Sequence, residues 1–312
     1  MKHATRARRS HKISLQMQQT LAGQISYLDN ESFYGDNPHS KSKDCNRDVF
    51  GNIDSLRADL HNEKDPVIWQ RLETLQADTA GMAELNLDWR RIPPEANFYA
   101  RLHHHQKRQV KGAVTHNKCS RSTSKTQYGG CASLIFQRLL PRVIATECDP
   151  VGLGRWISHL IEGKGKQRAR FVTGYFPCNN GGKGTVYTQH RSHFQALAIN
   201  NPRWNKNPHD AWLEDFQQEV QTWSDNNEKV VIRLDANSDV RHGKVATMLR
   251  SLGFEEQITY RHGPQQPPPG THIANTRGTP IDGIWTNFDH GEMRCGYCSF
   301  VEGLPGSPHG MD

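Results

Sequence analysis

The chain has 312 residues, with 39 Lys and Arg against 32 Asp and Glu, a formal net charge of +7 before its 17 His are counted. That length can bury one large core, or one core plus a tail, and 11 Phe, 8 Tyr and 7 Trp exclude disorder throughout. The basic balance favours polyanionic partners, nucleic acid ahead of anionic lipid, and no stretch approaches the roughly 20 consecutive apolar residues of a membrane span. Residues 1–12 are basic but lack the apolar segment of a secretory signal. The seven Cys (45, 119, 131, 148, 178, 295 and 298) are an odd, scattered set, the pattern of reduced thiols inside a cell rather than of a disulfide scaffold. The expected location is therefore intracellular, nuclear or cytoplasmic, and not secreted.

Residues 1–46 are polar and basic and read as a solvated, disordered tail, with Arg6, Arg8, Arg9, Lys12, Lys41 and Lys43 available to phosphates. Organised sequence begins near Arg47, where Val49, Phe50, Ile53 and Leu56 appear. Asp65-Pro66 predicts a helix start, Asp as N-cap and Pro at the first helical position, and Ile68, Leu72 and Leu75 then form one apolar stripe. The short run Ala80-Gly81-Met82-Ala83 ends in Glu84. His103-His104-His105, beside Lys107, Arg108 and Lys111, reads as an exposed basic loop, with contact along a phosphate backbone as the alternative. Strands are predicted at 131–136, 142–146 and 171–175. Trp212, Phe216, Val220 and Trp223 predict a helix over 210–225, followed at once by a strand at 229–234. Val245, Met248, Leu249 and Leu252 predict a further helix closed by Gly253, the Pro-rich segment 263–270 a loop, and 281–286 a last strand. Strands mixed with the helices that feed them predict an α/β layered domain.

Several of these apolar runs end in a polar residue suited to hard-cation or phosphate chemistry: Asn52 with Asp54, Glu84, Tyr175, Asp235 with Asn237, and Asp282. Residues i and i+2 of an extended chain point to one side, so Asp235 and Asn237 face one spot, where they can orient a water, hold a phosphate oxygen or help ligate a cation. A strand-terminating turn is the alternative reading of the same pair. Mg²⁺ takes oxygen ligands, commonly one or two carboxylates with water and substrate phosphate, a part that Glu84 fits. Gly152-x-Gly154 and Gly181-Gly182-Lys183-Gly184 lack the continuations of dinucleotide and Walker motifs. Cys295-Gly-Tyr-Cys298 has half of a zinc-knuckle spacing without a second pair and reads as two incidental thiols. Trp156 and Trp285 can stack on bases or pack in a core.

In this order the motifs resemble the endonuclease/exonuclease/phosphatase superfamily, the group of deoxyribonuclease I and the apurinic/apyrimidinic endonucleases, over residues 47–312. Gly51-Asn52-Ile53-Asp54-Ser55-Leu56 is similar to the opening Asn-x-x-Gly-Leu, with Ser55 in the Gly place. Met82-Ala83-Glu84-Leu85-Asn86 matches the strand-end metal-binding Glu, Thr173-Gly174-Tyr175-Phe176-Pro177 the Tyr-x-Pro segment, and Leu234-Asp235-Ala236-Asn237 the Gly-Asp-x-Asn segment with Leu for Gly. Thr271-His272 and Pro280-Ile281-Asp282-Gly283-Ile284 resemble the late pair of motifs. Gly152-Leu153-Gly154-Arg155-Trp156, with the long segment through Gln189 and Asn201-Pro202-Arg203, adds a narrower likeness to the endonuclease domains of non-long-terminal-repeat retrotransposons.

The resemblance implies a four-layered α/β sandwich, two packed mixed β-sheets flanked by helices, in one domain at 47–312. It implies Mg²⁺, with Mn²⁺ as the alternative, held by Glu84 with Asn52, Asp54 and Asp312. It also implies in-line attack by water on a phosphodiester, most readily DNA. Asp235 would activate the water, Asn237 hold it, Tyr175 donate to the phosphate, and Asp282 orient a catalytic His; Arg155, Asn179 and His272 would contact nucleic acid. The family closes with an Asp-His pair. Either Asp312 is that Asp and the His lies past the recorded end, leaving a truncated and weakly active domain, or His309 substitutes. A monomeric domain, or a part of a longer polyprotein with a reverse transcriptase, is the expected context. The alternatives are a phosphoesterase of the same fold acting on inositol phosphates, sphingomyelin or poly(A), and a catalytically dead nucleic-acid-binding relic.

Overall fold

The computed structural model describes residues 33–37, 41–42, 45–105, 108–179, 181–182, 184–271, 279–288, 293–298 and 303–305. In chain order the elements begin with β1 (Tyr34–Gly35), β2 (Asp48–Asn52), α1 (Lys64–Thr74), β3 (Thr79–Ala83), α2 (Phe98–His105), β4 (Val110–Val114) and β5 (Cys131–Phe136). There follow β6 (Val143–Cys148), β7 (Trp156–Glu162), β8 (Arg168–Tyr175), α3 (Val186–Gln195), α4 (Pro208–Asp225) and β9 (Lys229–Asp235). The last are α5 (Lys244–Ser251), β10 (Glu255–Glu256), α6 (Gln257–His262), β11 (Asp282–Thr286) and β12 (Gly296–Tyr297).

Two mixed sheets form the centre. One runs β2-β3-β5-β4 and the other β10-β11-β9-β8-β7-β6; β2 with β3 and β8 with β9 are the parallel pairs. A separate ribbon pairs β1 with β12. Side chains alternate across each strand, and that alternation builds the layers. Val230, Ile232 and Leu234 pack with Trp212, Phe216 and Val220 of α4 and Val245 and Leu249 of α5. Ala80 and Met82 of β3, with Leu134 and Phe136 of β5, pack with Ile68 and Leu72 of α1 and Phe98 and Leu102 of α2. The intervening residues of β3, β5, β8 and β9 face the opposite sheet. The result is the expected four-layered sandwich. Among the described residues no helix is long and apolar enough to cross a membrane.

The middle of the sandwich is partly polar. Arg233, fully buried, donates to Asp48 Oδ1 at 2.8 Å, Ser133 Oγ at 2.9 Å and the Val172 carbonyl at 3.3 Å. It thereby ties β9 to β2 and β5. The sheets lie close here because residue 81 has no side chain: a Cβ on Gly81 would sit 2.5 Å from Thr173 Oγ1 and 2.9 Å from Arg233 Nε.

Several expectations need correction. Asp65 is not an N-cap; α1 starts one residue before it, and its buried carboxylate takes the Arg101 guanidinium at 2.7 Å. His103–His105 end helix α2 rather than lying on a loop, and Arg108 stacks on the Phe136 ring at 4.5 Å. Trp156 and Trp285 are core residues, 1% and 0% exposed, so neither can stack on a base. The boundary of the tail at residue 46 is too late, since Tyr34, 2% exposed, begins the strand that pairs with β12.

Candidate active site at the strand ends

The candidate residues come together because the strands carrying them end at one edge of the sandwich. Asn52 is the last residue of β2 and pairs in register with Ala83, which places it beside Glu84. Tyr175 ends β8 opposite Asp235, the last residue of β9, and Asp235 lies directly across from Asp282, the first residue of β11. Two of the five thus come from one sheet and three from the other. The two groups touch where Asn52 Nδ2 donates to Asp235 Oδ2 at 2.7 Å. Tyr175 and Asn52 both lie close enough to Glu84 to favour its ionised form. Asn52, Asp54, Glu84, Asn237, Thr271 and Asp282 line one open cleft.

The backbone beside these residues is left-handed at several non-glycine positions, with φ of 36° at Asp54, 76° at Ser55, 55° at Glu84 and 44° at Asn237. Such backbone costs a side-chain-bearing residue about 1–2 kcal/mol and persists where surroundings over-determine it. The restraints are visible. Ser55 N donates to the Glu84 carbonyl at 2.7 Å, and Asn86 Nδ2 donates to Ser55 Oγ at 2.8 Å. Lys64 Nζ donates to the carbonyls of Ile53, Asp54 and Ser55. Asn237 N donates to Asp235 Oδ1 at 3.0 Å while its Nδ2 donates to the Phe176 carbonyl at 2.7 Å. Leu234, standing where the resembling motif has Gly, is accommodated because its register partner is Gly174, whose Cβ would lie 2.9 Å from Leu234 Cδ1.

The electrostatics follow from three carboxyls in one place. Burial pushes Asp282 up to about 7, against a hydrogen bond from Thr271 and with the Glu84 charge adding to the rise. Asp235 is raised well above its ordinary value, first by burial, then by the charges of Asp282 and Glu84. Burial also raises Glu84, opposed by Tyr175, and raises Tyr175 well above an ordinary phenol. Among the described residues no Lys, Arg or His side chain forms an ion pair with any of the three carboxyls. The donor atoms are all oxygen, and Asp282 Oδ1 is buried without a partner. An oxygen-only, anion-rich set without a protein counter-charge fits a hard divalent cation.

Sequence reasoning missed two supporting residues. Lys64 holds the 53–55 turn, and His209 stacks on Phe176 at 4.6 Å and hydrogen-bonds the Pro177 carbonyl at 2.7 Å, fixing the segment after β8. Neither leaves a signal, because a side chain bonded to main-chain carbonyls obeys no spacing rule.

Arg155 is a correction. It is 2% exposed, bound to Asp149 at 2.7 Å and Asp215 at 2.9 Å, and stacked on Trp156 at 4.4 Å, so it cannot reach nucleic acid. The 152–156 segment, one of the two behind the narrower retrotransposon likeness, is therefore structural: Gly154, at φ 77°, packs against the His116 backbone beside this ion pair. Asn179 is exposed just beyond β8. His272, His309 and Asp312 lie outside the described residues.

Neither a family model nor a curated protein matches the chain in sequence. Solved structures do match it in fold. The human Nocturnin catalytic domain aligns with 82% of this chain and 85% of its own, at TM-score 0.51 and 14% identity. The Xenopus laevis APE2 catalytic domain aligns with 82% and 83%, at 0.50 and 15%. AP endonuclease LMAP from Leishmania major aligns with 77% and 78%, at 0.51 and 12%. At such identities the likeness establishes architecture alone.

Proposed function

For a chain with the DNase I-like fold of the endonuclease/exonuclease/phosphatase superfamily, we propose a divalent-metal-dependent phosphodiesterase that cleaves nucleic acid, DNA before RNA, by in-line attack of water. The observation that carries this reading is the convergence of Asn52, Glu84, Tyr175, Asp235 and Asp282 from two sheets onto one cleft edge. The AP endonuclease among the fold neighbours and the net charge of +7 support the substrate class.

A bound Mg²⁺ or Mn²⁺, held by Glu84 with Asp54 and Asn52 beside it, would supply charge neutralisation at the scissile phosphate. The remaining work falls to the side chains. Asp235, its carboxylate fixed by Asn52 Nδ2 at 2.7 Å and Asn237 N at 3.0 Å, orients the attacking water and takes its proton. Tyr175, kept protonated by burial and by the neighbouring charges, donates to a phosphate oxygen. Asn237, held by the Phe176 carbonyl, positions the water beside Asp235. Asp282, with Oδ1 open, accepts from and orients an imidazole.

Nicking of supercoiled plasmid in Mg²⁺ tests the reading. Glu84→Gln and Asp235→Asn should each lower the rate by about 100-fold or more, and full Mg²⁺-dependent activity in either variant would falsify the assignments. A chain inert on DNA but active on another phosphate ester would retain the site and reject the substrate.

A further inference from the structure

In the same cleft as the acidic residues, three segments distant in sequence meet at Asp36 just after β1, His262 at the end of α6 and Cys295 just before β12. A carboxylate oxygen, an imidazole nitrogen and a thiol sulfur from these residues all lie within 4.8 Å of one another. His262 Nε2 stands 3.4 Å from Asp36 Oδ2. Tetrahedral zinc, with bonds of about 2.0–2.3 Å, holds its ligand atoms roughly 3.3–3.8 Å apart, so the cluster needs only small side-chain adjustment to close on an ion.

The scaffold fixes this meeting. Asp36 N donates to the Cys295 carbonyl at 3.0 Å and Cys295 N donates to Asp36 Oδ2 at 2.9 Å, continuing the β1–β12 pairing. The His262 ring approaches over residue 35, where a Cβ would lie 2.8 Å from His262 Cδ2 and 2.6 Å from the Cys295 carbonyl; Gly35, at φ 91°, admits it. Without an ion the polar atoms are engaged locally, His262 Nε2 with the Cys295 carbonyl at 3.0 Å and Cys295 Sγ with the Gln257 carbonyl at 3.2 Å. Burial, reinforced by the Glu256 and Asp36 charges and opposed by Arg261, pushes the Cys295 thiol up to about 12. A metal would take the place of that retained proton.

We propose that Asp36, His262 and Cys295 form a zinc site, sharing no ligand with the Glu84–Asp235–Asp282 cluster, that clips the β1–β12 ribbon to α6. Mixed sulfur, nitrogen and oxygen donors suit a borderline cation such as Zn²⁺ over Mg²⁺, whereas the Glu84–Asp235–Asp282 cluster offers oxygen alone. Three protein ligands leave the fourth tetrahedral position to water. The clip lines the same cleft as the carboxyl cluster and its ribbon reaches that cluster: Tyr297 donates to the Asp282 carbonyl at 2.9 Å, and Tyr34 to the Gln266 carbonyl at 2.6 Å.

Titration of the chelator-treated full chain with Co²⁺ in excess Mg²⁺ tests this. One equivalent should develop near-ultraviolet thiolate-to-cobalt absorption with tetrahedral visible bands, and Zn²⁺ should displace it. Cys295→Ser should abolish the thiolate band and Asp36→Asn should weaken Co²⁺ affinity at least about 10-fold, while Cys298→Ser and Glu84→Gln should leave the band intact. A wild-type chain without the band overturns the proposal whatever the variants do. So does a band that survives Cys295→Ser or disappears in Glu84→Gln.

Discussion

Asp235 and Asp282 face each other across the β9–β11 pair, with Glu84 close to both. All three carboxyls are raised, so the metal-free fold keeps protons that the unfolded chain releases near its ordinary values of 3.8 and 4.5. Their contribution to stability is then fully present below those ordinary values and is lost as pH rises through about 7, where Asp282 titrates. A cation that binds the ionised site reverses the loss. The increase in Tm on adding Mg²⁺ should therefore be small at about pH 5 and large at about pH 8; an increment independent of pH would contradict a cation bound at Glu84 beside these carboxyls. Which polar residues converge was legible, because an apolar run that stops at Glu84 or Asp235 marks a strand end carrying a polar side chain. The role of Arg155 was not: a guanidinium beside Trp156 reads alike whether it faces solvent or two buried aspartates.

At the scale of elements, strands covered on both faces were the readable ones, since burial on both sides demands a continuous apolar run. β5, β8 and β9 are of this kind. β7 escaped because Ser158 and His159 interrupt it, and both are satisfied from neighbouring strands, Ser158 by Arg170 at 2.8 Å and His159 by Thr146 at 2.8 Å. β4 escaped as an edge strand with Lys111 exposed. α3 escaped because its sequence is polar, although the reciprocal Thr185–Thr188 capping box marks its start. The junction between β7 and α4 rests on a buried charge, with Arg155 bonded to Asp149 and Asp215. Arg155→Met leaves two carboxylates without it and should cost about 3–5 kcal/mol in chemical denaturation. The folded fraction should keep wild-type DNA affinity, and a loss of affinity at unchanged stability would return Arg155 to the interface.

For the molecule as a whole, the motif order made the two-sheet architecture legible, whereas the ribbon joining Tyr34 to Tyr297 was hidden by strands of two residues each. The sandwich also divides its chemistry. Residues 48–136 carry Asn52 and Glu84 on one sheet, residues 143–286 carry Tyr175, Asp235 and Asp282 on the other, and the Arg233–Asp48 bond joins the two beneath the cleft. Severing the backbone near residue 140 would yield two pieces, each retaining a sheet and neither possessing a working centre. Nicking should vanish in the separated pieces and return on mixing, with a dependence on the concentration of both. An Arg233→Met partner should fail to complement. With the proposed activity, the chain would then behave as a reporter of proximity, silent until two fused proteins bring its halves together.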